Sequence, residues 1–208
     1  TLLMGSKRQA SGGWSEPRCL AGDREEESIQ QARFDSMGRL YCLSDQGGYW
    51  QPCVEGSFGL THLKAADADH APAPWQLGGR SWLPLHNGAY LATWSEEGVG
   101  VLGMRDSHGT LEDFSGDYSR FRSLAVDDQF IYCIAASATS PSAVLAINRA
   151  DHSVQVLAGG VAPLPAEQIS CPQTLRYKSG DGDAHGYFYP AMNAVEKPPL
   201  VVFIHGGP

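Results

Sequence analysis

At 208 residues the chain is long enough for one or two domains, and its 42% hydrophobic content argues against disorder. The formal charge of −8, with no basic stripe, argues against a nucleic-acid surface. No apolar run approaches the ~20 residues of a membrane span, and Thr1-Leu2-Leu3-Met4-Gly5 is too short, and wrongly flanked, for a signal peptide.

The first residues, 1–23, are weakly patterned, with Ser11-Gly12-Gly13-Trp14 reading as a turn followed by an aromatic. A rhythm begins at Ser28. Ile29–Phe34, Leu40–Ser44, Tyr49–Val54 and a region near Leu60–Leu63 read as four strands. Their turns are Asp35-Ser36-Met37-Gly38 and Asp45-Gln46-Gly47-Gly48, where Asp can bond its own backbone and Gly can take φ > 0. Pro52 lacks an N–H and predicts an edge position for the third strand. Ala65–Pro74 reads as a polar link.

The pattern then recurs. Ser81–Leu85, Ala89–Ser95, Val99–Met104 and Thr110–Phe114 make a second set, and Arg120–Val126, Phe130–Ala136, Ala143–Ile147 and Ser153–Leu157 a third. The second strands of the sets recur every ~40–50 residues, the period of four-stranded propeller blades. A single antiparallel sandwich is the alternative. The expected boundaries are a partial β-propeller over 1–160, with blades at about 24–74, 75–117 and 118–160.

After Gly159-Gly160 the character changes. Val161–Gln168 reads as a linker. Gln173–Tyr177 and Ala184–Pro190, joined by Ser179-Gly180-Asp181-Gly182, read as an antiparallel hairpin. Leu200-Val201-Val202-Phe203-Ile204, bounded by Pro198-Pro199 and Gly206-Gly207-Pro208, reads as a strand buried on both faces. Such a strand needs helices to cover it, so the chain is expected to be part of a longer protein, with 161–208 the start of an α/β-hydrolase domain. After a buried strand, His205-Gly206-Gly207 is the sequence type that aims backbone N–H groups at an oxyanion. An ordinary strand-to-turn exit is the alternative.

Four segments carry a resemblance to a known family. They are Glu27–Phe34 with Asp35, Gly38–Tyr41 and Ser44-Asp45 (Ser36 standing where proline is usual); Ile134–Val144; Ala184–Asn193; and Pro198–Pro208. In this order they resemble the prolyl oligopeptidase family of serine peptidases, in the branch of acylaminoacyl- and dipeptidyl-peptidases. The resemblance implies a mainly β chain, namely the C-terminal blades of a β-propeller followed by the first strands of an α/β-hydrolase domain. It implies hydrolysis of short peptides through an acyl-enzyme; no cofactor is expected, the cysteine usage leads to the expectation of a cytoplasmic protein, and a homo-oligomer is left open. The family's nucleophile lies on a G-x-S-x-G turn, and this sequence contains none, Gly56-Ser57-Phe58-Gly59 having the wrong spacing. The catalytic Ser, Asp and His are therefore expected outside these residues, and the chain alone is expected to be inactive. What carries over is the oxyanion loop, His205, Gly206 and Gly207. An esterase-like hydrolase and a non-catalytic propeller module are the competing functions.

Other residues invite attention. The five cysteines, at 19, 42, 53, 133 and 171, form no CxxC or Cys/His cluster, which argues against a metal site and for a reducing compartment. Cys42 and Cys133 are expected as small buried hydrophobes. Asp67-Ala68-Asp69-His70 is expected as a solvated loop, Glu25-Glu26-Glu27 as a solvent-facing charge run, and His185 as a surface residue of its hairpin. Trp14, Trp50, Trp75, Trp82 and Trp94 are expected to pack between blades.

Overall fold

The computed structural model describes every residue except Arg24, Glu25, Phe58, Gln76, Val195, His205, Gly207 and Pro208. The described residues are mainly β and divide into two compact units, Thr1–Gly160 and Val161–Pro208.

The first unit opens with a short pair that sequence patterning did not reveal, β1 (Leu3–Gly5) antiparallel to β2 (Arg18–Ala21). Three four-stranded antiparallel meanders follow. The first is β3 (Ile29–Phe34), β4 (Leu40–Ser44), β5 (Gln51–Gly56) and β6 (Gly59–His62). The second is β7 (Trp82–Pro84), β8 (Tyr90–Glu96), β9 (Val99–Arg105) and β10 (Leu111–Asp113). The third is β11 (Arg120–Val126), β12 (Phe130–Ala136), β13 (Ala143–Asn148) and β14 (Val154–Gly159). In each sheet the strands pair in chain order, which is the organisation of a propeller blade.

Burial explains why the second strands were so legible. Every residue of β4 is buried, because the sheet is covered on both faces. Tyr41 and Leu43 pack with Trp82, Tyr90, Ala92 and Trp94 of the second sheet. Cys42 points the other way, with Cys53, Ile29 and Ala21, under the β1–β2 pair. In β12 burial strictly alternates: Ile131, Cys133 and Ala135 pack towards Leu91, Leu102 and Phe114 of the second sheet. The alternation is the period-2 signature of a strand buried on one face. β14 is exposed along its whole length.

Pro52 is not on an edge. It is buried in β5, which lies between β4 and β6. Its carbonyl accepts from the Leu63 N–H at 2.8 Å, so its own nitrogen faces the same side, just where β6 has ended at His62. The missing donor therefore falls opposite Leu63, at the end of the β5–β6 ladder, where a single bond is forgone.

Two of the first strands are bulged. The β3–β4 register shifts between Gln30 and Arg33, and the β11–β12 register shifts between Arg122 and Ala125. Gln31 (φ 50°) and Ser123 (φ 58°) sit in these bulges with left-handed backbones that side-chain-bearing residues adopt only at a cost.

In the second unit β15 (Gln173–Ser179) pairs with β16 (Gly182–Phe188) in an uninterrupted hairpin. Asp183 holds Arg176 at 2.5 Å and Lys178 at 2.8 Å across it. The strand expected at 200–204 is not formed: no described residue pairs with Leu200–Ile204, and all five are exposed, Phe203 at 93%. A strand exists through its ladder bonds, and an apolar β-branched run without a neighbouring strand has no fixed register. No helix among the described residues is long and apolar enough to cross a membrane.

Candidate functional site

Of the three residues expected to form the oxyanion loop, His205 and Gly207 lie outside the described residues, and Gly206 is exposed. The functional geometry that the structure does describe lies between the first strands of the three sheets.

At its centre is the segment Gly79-Arg80-Ser81, held from both sides by the bulges. From β3, the Gln31 side chain donates through Nε2 to Ser81 Oγ at 2.8 Å, and its Oε1 accepts the Ser81 N–H at 3.1 Å. The Arg33 guanidinium donates through Nη2 to the Gly79 carbonyl at 3.0 Å. From β11, the Leu124 N–H, next to Ser123, donates to the Arg80 carbonyl at 2.9 Å. Ser81 Oγ in turn donates to the His70 carbonyl at 2.7 Å. The strained backbones thus turn donors of two sheets onto one stretch of the third, as bulges do when they re-aim side chains.

The electrostatics here are unusual. Arg33 is half-buried, and its Nε is enclosed without a hydrogen-bond partner among the described residues. Burial lowers its pKa, and the charge of nearby Arg80 lowers it further. Neither guanidinium has a carboxylate within ion-pair distance among the described residues, whereas Arg18, Arg39 and Arg176 each hold one.

Beside this segment His70 is fully buried, with Ala68 buried beneath it. The Asp69 carboxylate accepts the Trp50 N–H at 2.9 Å, and the His70 N–H reaches the Trp50 carbonyl at 2.8 Å. The stretch 67–70 is therefore only partly the solvated loop expected: Asp67 and Asp69 are exposed, while Ala68 and His70 plug the space between two sheets. Glu27 also departs from expectation. It is buried, accepting from Ser44 Oγ at 2.7 Å and from the Gly22 N–H at 3.1 Å, while Glu26 is exposed and Glu25 lies outside the described residues. Trp82 and Trp94 are buried and Trp50 half-buried, but Trp14 and Trp75 are both 67% exposed and do not pack between sheets.

His185 is exposed in β16, opposite Arg176. Cys42 and Cys133 are buried, as is Cys53; Cys19 and Cys171 are exposed, and all five are free. No group of three or more His, Cys, Asp or Glu among the described residues could hold a metal ion.

Neither a protein-family profile nor a curated protein matches the chain. Solved structures do. Puromycin hydrolase superposes with a TM-score of 0.81 and 25% identity, over 91% of this chain and 29% of that one. A puromycin-hydrolysing peptidase of Mycobacterium tuberculosis superposes with a TM-score of 0.77 and 26% identity, over 90% of this chain and 30% of that one. The resemblance to the prolyl oligopeptidase family is shown by these peptidases. A prolyl endopeptidase shares the fold at a TM-score of 0.58 and 13% identity, over 87% of this chain and 30% of that one. The chain therefore spans less than a third of the prolyl oligopeptidase relatives it matches.

Proposed function

We propose that the protein to which this chain belongs is a serine-type peptidase of the prolyl oligopeptidase family, hydrolysing short aminoacyl-, dipeptidyl- or acylaminoacyl-peptides through an acyl-enzyme. The observation that carries this reading is the superposition on puromycin hydrolase over 91% of the chain. In this reading 1–160 contributes blades to a propeller and 161–208 begins an α/β-hydrolase domain. His205-Gly206-Gly207 follows the apolar run as an oxyanion loop, with a backbone N–H of Gly206 or Gly207 as donor. One such donor contributes about 2.7–4 kcal/mol to transition-state stabilisation. The sequence contains no G-x-S-x-G, so the 208 residues alone supply no nucleophile elbow and are inactive by themselves. A cytoplasmic location agrees with five free cysteines.

The test is the intact mass of the natural gene product before and after a fluorophosphonate probe, followed by assays on aminoacyl- and acyl-peptide substrates. One covalent adduct and peptide turnover are expected. An unmodified protein would overturn the peptidase reading in favour of a propeller that only binds. Turnover of simple esters without peptides would favour an esterase.

A further inference from the structure

A strand at the edge of a sheet offers unpaired N–H and C=O groups to any second strand, and natural proteins blunt such edges. The outermost strands of the first two meanders are blunted by their length. β6 has four residues and β10 three, two of them Glu112 and Asp113. β14 is not blunted. It is the outermost strand of the third meander, six residues long, and no strand among the described residues pairs with its outer side. All of Val154-Gln155-Val156-Leu157-Ala158-Gly159 is exposed, Val156 at 51%. Of the strands exposed at every residue, β10 and β15 carry charges and β14 carries none. Its register against β13 shifts only beyond Val156, between Leu145 and Val144, so Val154–Val156 is regular strand.

The turn into β14 fixes which groups face outwards. The Ser153 carbonyl accepts the Asn148 N–H at 2.8 Å, so Ser153 faces β13. Alternation along the strand then turns Gln155 to β13, and the N–H and C=O groups of Val154 and Val156 to the free edge. Two such edges related by a two-fold axis pair antiparallel with Val154 opposite the partner's Val156. The outward groups of both valines are then satisfied on each side. The axis passes between the two Gln155 residues, which form a non-hydrogen-bonded pair, the kind in which facing side chains lie closest. The Gln155 side chain is exposed and makes no hydrogen bond among the described residues.

The occupant of this edge is a second copy of the chain. The third meander already has four strands, like its two neighbours, so the blade pattern calls for no fifth strand from its own chain. The formal charge of −8 sets most of the surface against itself. β14 is a strip where two copies meet with no charge opposing another, whereas two copies of β10 would bring acids together. An antiparallel edge is also self-complementary, as a two-fold interface requires, and its pairing uses up both edges, so assembly closes at two. We propose that β14 is a dimerisation edge, joining the third meanders of two copies into one continuous sheet through Val154 and Val156, with Gln155 at the two-fold axis. The peptidase reading above plays no part in this.

The experiment is sedimentation velocity of the full-length gene product over a range of concentrations. A dimer is expected with a dissociation constant of about 10 μM or weaker, because a single strand edge buries less than the ~800 Å² per partner of a standard interface. Gln155→Lys sets two ammoniums opposite each other across the axis, and Gln155→Glu two carboxylates. Each is expected to weaken the dimer at least about tenfold. Both change an exposed side chain without contacts, so their monomers should melt with the unmodified protein. Mixing the two variants sets an ammonium opposite a carboxylate and is expected to restore the dimer. Recovery in the mixture alone reports the pairing of position 155 with itself, which a folding defect could not imitate. A monomer at every concentration up to about 1 mM would overturn the proposal and mean that the protein's own chain covers β14. An undiminished dimer in Gln155→Lys would overturn it by placing the interface elsewhere, and a mixture that stays monomeric would overturn it by denying the register.

Discussion

The imidazole of His70 lies stacked on the indole of Trp94, ring centroids 5.2 Å apart and planes 29° from parallel, with the edge of Tyr90 6.4 Å away. Its Nδ1 faces the Ala68 carbonyl at 2.9 Å, which places the proton of the neutral ring on Nδ1. Nε2 is buried without a hydrogen-bond partner among the described residues. The ring is therefore suited to neutrality. Burial pushes its pKa down to about 4; the Ala68 carbonyl opposes the shift, Arg105 adds to it, and Asp69 weakly opposes it.

This makes acid stability depend on His70. The unfolded chain takes up a proton near pH 6.5, the folded chain only near pH 4. Between those values the unfolded state binds the proton that the folded state refuses, so stability falls as pH drops through this window and is unaffected by His70 above it. The loss is of order 3 kcal/mol at full extent. Urea unfolding between pH 7.5 and 4 checks it. The stability of the unmodified protein should fall more steeply than that of His70→Gln, which lacks the titrating group. Parallel pH profiles would show that His70 is not the group responsible.

The strands of the three meanders were legible because each local signal agreed with the next. Apolar alternation in Phe130–Ala136 and the Asp/Gly turns around Met37 and Gly47 state the same topology twice. What stayed hidden depends on contacts between sheets. His70 and Glu27 sit in polar stretches that read as solvent-facing, and only the arrival of Trp94 or Ser44 makes them interior. Pro52 misled because the rule that sends proline to edges concerns the N–H, and here that N–H would fall opposite Leu63, at the very end of the β5–β6 ladder, so an interior strand loses only one bond. The β1–β2 pair is made of strands of three and four residues, too short to show a period. At the candidate site, His205-Gly206-Gly207 was legible as a pattern alone. The tie of Arg33 to the Gly79 carbonyl was not legible, since two sheets must pack before residues so distant in sequence meet.

The cysteines offer a direct reading of the core. Cys42 and Cys53 lie opposite one another on β4 and β5, both fully buried, and burial pushes each thiol up to about 12. Cys133 is raised to about 12 by burial as well. The thiolate is the reacting species, so these three should resist modification at neutral pH. Treatment of the native protein with a disulfide reagent, read by peptide mass mapping, should label Cys19 and Cys171 and spare the others until denaturant is added. Rapid native labelling of Cys42 or Cys53 would mean that the cover provided by β1 and β2 opens readily.

The junction of the second and third sheets should be intolerant of a single methyl group at Gly100. Its N–H donates to the Ser119 carbonyl at 2.8 Å, tying β9 to the entry of β11. A Cβ built there would stand 2.5 Å from that same oxygen and 3.0 Å from its carbon. Because the obstacle is backbone and not the end of a flexible side chain, Gly100→Ala can be accommodated only by moving the start of β11. That movement strains the packing of Leu124 and Phe121 against the second sheet. Overpacking of this kind costs about 1–3 kcal/mol. Gly47→Ala is the matched control: its Cβ would meet only Gln51 Oε1, at 3.6 Å, and the change should stay within about 0.5 kcal/mol. Thermal melts of the two variants should therefore separate clearly, with Gly100→Ala the lower. Coincident melts would mean that the Ser119 carbonyl yields without disturbing the sheets behind it.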